Sequence, residues 1–142
     1  MSDDQYARPE GATDAEVAAA GKLSEALECV EHARGYLYGF HRLIGRADFT
    51  FEEAADLLEA AGHPGHAERI RTDIVGRNMV EGRWTFQIVD EFEALYADPA
   101  RQAEAAVRDD LMAGRKHVFE AELKEERRTR GRPGHESRPA SG

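Results

Sequence analysis

Cysteine is almost missing from this chain of 142 residues: Cys29 is the only one. One cysteine makes no intrachain disulfide and no Cys-rich zinc site, so a reducing, cytoplasmic setting is expected. Long apolar runs are missing too. Nothing approaches the ~20 residues of a membrane-spanning helix. The opening stretch MSDDQYARPE is acidic and polar and does not read as a signal peptide. Alternating runs of β-branched residues are absent, and the few valines and isoleucines fall at helical spacing. There is no GxGxxG, no GxxxxGK[ST] and no GxSxG, so dinucleotide, P-loop and hydrolase readings have no motif to rest on.

What is present is charge, at 33% of residues, with 41% hydrophobic residues and a net charge of −9. That balance fits a globular domain of ordinary size. The charge is unevenly spread. Residues 1–114 carry 11 basic and 23 acidic residues, a net of −12, whereas residues 115–142 carry 8 and 5, a net of +3. An acidic body repels a phosphate backbone, which argues against a nucleic-acid partner. The arginines at the end (Arg127, Arg128, Arg130, Arg132, Arg138) read as a solvated basic tail.

Helix signals run along the middle of the chain. Thr13-Asp14-Ala15-Glu16 is a capping box, and Leu23, Leu27, Val30, Leu37 and Ile44 follow on one helical face. Gly35 and Gly39 read as points of close backbone approach or bending. Thr50 and Glu53 form a second capping box, predicting a new helix that ends at Gly62 and Pro64. A third helix is expected from near Gly65. A fourth, from about Arg83 to Ala97, has apolar residues around most of its circumference and is expected to be the most buried. Asp98-Pro99 reads as the start of a fifth helix running to about Arg128. The fold expected is therefore all-α: a helical bundle of about five helices, with long first and last helices and disordered termini. Residues 1–12 and 131–142 are read as disordered, and residues 13–130 as a single helical domain.

Two chemical readings follow. The first is interaction: long amphipathic first and last helices extend beyond one protomer, so self-association as a homodimer, or binding of a protein partner, is expected. The second is a metal site of carboxylates and imidazoles in a bundle core. Glu28 and His32 share a face on the first helix, His117 and Glu120 share one on the last, and Glu91 on the fourth helix adds a further ligand. No Glu-x-x-His motif is present, and the ordinary role of such pairs is a local surface contact. His63 and His66 around Pro64-Gly65 read as an exposed turn. Cys29, between Glu28 and Glu31, reads as a structural, at least half-buried thiol. No cofactor is named by these residues.

Overall fold

The computed structural model describes residues 4–140. All regular structure in them is helical: α1 (Asp14–Ala60), α2 (Pro64–Asp73), α3 (Thr85–Phe92), α4 (Asp98–Leu111) and α5 (Val118–Arg127), with a π-helical turn at Glu93–Ala97. Because α3, the π turn and α4 follow without a gap, the described residues form four continuous helical rods rather than the five separate helices expected. The all-α class holds. The segmentation differs at three places, each for a local reason.

The first is Thr50. Its hydroxyl donates to the Arg46 carbonyl one turn back, at 2.9 Å, instead of capping a new helix. The first two expected helices are thus one rod of 47 residues. Only the earlier capping box forms. The Thr13 amide donates to the Glu16 carboxylate at 2.9 Å, and the Glu16 amide to Thr13 Oγ1 at 3.1 Å. The rod ends as expected at Gly62, whose φ is +89°. Its amide bonds to Glu59 O and that of His63 to Leu58 O, which is the Schellman arrangement.

The second is Asp98-Pro99. Proline has no amide to offer and its ring crowds the carbonyl four residues back. Here the widened π turn absorbs it, with the Asp98 amide bonding five residues back to Glu93 O. The third is the last helix, which is short. The chain turns sharply between α4 and α5, with positive φ at Ala113, Gly114 and His117.

The chain divides into two compact units. The terminal unit comprises residues 4–30 and 99–140 of the described chain, and the middle unit is Glu31–Asp98. Val17, Met112 and Val118 form the core of the terminal unit, flanked by Ala12, Ala20 and Leu111. The close backbone approach occurs at Gly21, not at Gly35 or Gly39. A Cβ on Gly21 would meet the Phe119 side chain at 2.7 Å, while the other two face open space. Glu104, only 8% exposed, is held by Ser24 Oγ and by the Arg108 guanidinium.

Polar contacts also involve residues near both ends of the described chain. Arg138 clamps Asp4, and Arg8 donates to Glu122 and Asp14. The disorder expected for residues 1–3 and 141–142 falls outside the described residues.

Candidate interaction surface

The middle unit is built from the second part of α1, α2, the 74–84 connection, α3 and the π turn. Polar contacts hold these pieces in place. Arg71 of α2 reaches Asp56 and Glu59 of α1, both at 2.8 Å. The Gly76 amide donates to the Asp48 carboxylate at 2.8 Å. His41 Nδ1 lies 2.7 Å from Thr85 Oγ1, and Arg34 bonds Glu93 while lying over the Tyr38 ring at 4.6 Å. The Trp84 amide donates to the Gln87 side chain at the start of α3.

Apolar packing in this unit is thin. Its buried apolar residues are Ala55, Ala67, Val89 and Ala97, all small. Leu37, Ile44, Leu58, Ile70, Ile88 and Phe92 are half-buried, and most of the other large side chains are exposed. Of the sixteen large apolar side chains exposed among the described residues, fourteen belong to the middle unit. Tyr36 is 70% exposed, Leu57 72% and Leu95 75%. The helix expected to be the most buried therefore exposes Trp84, Phe86, Leu95 and Tyr96. Trp84 and Phe86 pack edge to face at 5.3 Å, and Phe92 stacks on Tyr96 at 6.0 Å, so part of this aromatic surface packs against itself.

On α1 a groove is lined by Leu43, Arg46, Ala47, Thr50, Phe51 and Ala54, all from that one helix. Such a groove is an open helix face rather than a pocket between elements. A second groove adjoins it, lined by Ile44, Phe51, Ile74 and Met79 together with Asp48, Asp73, Arg77 and Asn78.

The five residues of the metal reading do not gather. His32 stacks on Tyr36 at 4.8 Å, and Glu28 is exposed one turn away on α1. Glu91 is paired with Arg83. His117 and Glu120 form an exposed pair at 3.9 Å. Among the described residues, no three His, Cys, Asp or Glu side chains come together as a metal-ligand group. The His63 and His66 rings lie 6.4 Å apart on an exposed turn. Cys29 is exposed, not half-buried, because the apolar face of α1 lies to one side of it.

Most of the C-terminal arginines singled out above have acidic partners. Arg128 and Arg130 bond Glu125, and Arg138 bonds Asp4. Arg128 holds the Glu125 carboxyl below its ordinary range, and Arg138 does the same to Asp4. No helix among the described residues is long and apolar enough to cross a membrane.

Comparison with protein-family models, with curated proteins and with solved structures finds no match to this chain.

Proposed function

We propose that this chain is a non-enzymatic helical module that works as a homodimer, with the middle unit as its docking surface, in a regulatory or adaptor role. The observation that carries this reading is the concentration of exposed large apolar side chains on Glu31–Asp98. Apolar surface left in water costs about 25 cal/mol per Å² relative to burial. Exposed large apolar side chains in this number mark a surface that is covered in use. A second copy is the commonest cover for a soluble chain, through a two-fold, self-complementary contact. The net charge of −12 over residues 1–114 argues against a nucleic-acid partner. Nothing in the arrangement favours the metal reading over this one.

Light scattering on the purified chain tests it. The expected mass is twice the 15.8 kDa of one chain. Leu43→Glu is expected to shift that mass to the monomer while the helical circular dichroism stays. A chain that is monomeric from nanomolar to high-micromolar concentration would sink the reading.

A further inference from the structure

Two rows of side chains run side by side along α1 at alternating three- and four-residue steps. Tyr36, Leu43, Thr50 and Leu57 make one row, and all four are exposed. Phe40, Ala47 and Ala54 make the other, exposed or half-buried, and Ala61 continues it at the helix end. No position in either row is charged, although Arg42, Arg46, Asp48, Glu52, Glu53 and Asp56 interleave with them. A strict seven-residue repeat is the signature of a helix that supercoils with another helix. The stripe that α1 turns toward its own chain is a different one. Leu37, Ile44 and Leu58 lie one residue after members of the first row and are half-buried.

We infer that a second copy of this chain docks antiparallel on this seam, with Arg46 against Glu53 of the second copy at its centre. The inference rests on the homodimeric reading above and adds the seam, the direction and the register. Direction follows from size. The first row is mostly large and the second mostly small. A parallel pair sets each row against itself, which stacks Ala47 on Ala47 and Ala54 on Ala54 and leaves those layers empty. An antiparallel pair crosses the rows, so that Leu43 falls against Ala54 and Tyr36 against Ala61, which fills those layers as close packing requires.

Register follows from charge. Arg46 and Glu53 both flank the second row on the same side and are exposed, and neither is joined in an ion pair among the described residues. With Ala47 opposite Thr50 of the second copy, Leu43 meets Ala54 and Phe40 meets Leu57. The two-fold axis then sets Arg46 against Glu53 twice. Sliding by one heptad step toward the N-terminus places Arg46 against Arg46, and like charges oppose that alternative.

Charge reversal and cross-linking test this together. Sedimentation equilibrium at low salt is expected to show that Arg46→Glu or Glu53→Arg alone weakens the dimer by about tenfold, since two exposed pairs each turn from attraction to repulsion. The double reversal is expected to restore it. In a Cys29→Ser background, a short bismaleimide is expected to join Phe40→Cys chains to Leu57→Cys chains, which are about 25 Å apart along the axis in a parallel pair. Leu57→Cys chains that cross-link to one another more readily than to Phe40→Cys chains would show a parallel pair and overturn the proposal. A wild-type dimer that ignores both single reversals would overturn the seam while leaving the homodimeric reading in place. A wild-type chain that is monomeric throughout would overturn both.

Discussion

The terminal and middle units contain similar helices but bury different things. In the terminal unit a large side chain, Met112, is only 2% exposed and sits with Val17 and Val118, while Glu104 and Arg108 form a well-shielded pair beside them. In the middle unit the buried apolar residues are three alanines and one valine, and tyrosines, phenylalanines, leucines and a tryptophan lie outside. The first unit has its own core. The second has the ingredients of a core turned outward. The contrast teaches that the same helical material buries its large side chains only where a distant segment of the chain packs against it.

Met112→Ala should give the largest effect. Removing a fully buried methionine costs about 2–5 kcal/mol through lost burial and the cavity left behind. Denaturant unfolding followed by circular dichroism reads it. Leu57→Ala, on the exposed face, is expected to change monomer stability by no more than about 0.5 kcal/mol. Equal costs at the two sites would break the comparison. Val118→Asp belongs with Met112: it introduces a charge into the terminal core, so it is expected to unfold that unit rather than dissociate a dimer.

Gly21→Ala comes next. The new methyl group would lie 2.7 Å from Phe119, and overpacking of this kind costs about 1–3 kcal/mol. Gly35→Ala and Gly39→Ala meet nothing within 4 Å. Each is expected to stabilise the helix by up to ~1 kcal/mol, read as a raised Tm. A Gly21→Ala protein as stable as the parent would show that the terminal core is looser than its geometry indicates.

A smaller effect in the terminal unit is set by pH. Asp4, Glu16, Glu125 and Glu136, all of that unit, hold their carboxyls below the ordinary range. Arg138 and Arg128 cause the shifts at Asp4 and Glu125, and backbone amides cause those at Glu16 and Glu136. A depressed folded-state pKa contributes stability that is present above the unfolded value, about 4–4.5, and is lost as pH falls through the lowered folded value. Amide exchange is therefore expected to show the terminal unit loosening as pH falls from 5 to about 3. Terminal-unit amides whose protection does not change over that range would overturn the assignment.

Much of the fold was legible in the residues. The capping box at Thr13 and Glu16 and the αL stop at Gly62 were both readable, because each depends on side chains or φ preferences a few residues apart. The failures were equally local in form but not in cause. Thr50 and Glu53 match a capping box as well as Thr13 and Glu16 do. Nothing within four residues says that Thr50 bonds back to Arg46 inside a longer rod. Asp98-Pro99 reads as a start because proline usually ends helices, and a π turn that accommodates it has no sequence signature.

The candidate interaction surface was legible only in part. Leu37 and Ile44 were evident as an apolar stripe. The proposed seam beside it has alanine at three of its eight positions, and alanine at helical spacing looks like ordinary helix former. Convergence of the residues of the metal reading was beyond the sequence, because helical periodicity says which residues share a face but not which faces meet.

By itself, then, the sequence determined the all-α class, the caps at Thr13 and Gly62 and which side chains share each face, since these follow from backbone preference and 3.6-residue periodicity. Only the tertiary structure decided that Gly21 rather than Gly35 takes the close contact, that Met112 is buried while Leu57 is bare, and that two units rather than one divide the chain. Those outcomes depend on which faces meet, and the interlocking of side chains from distant segments fixes that.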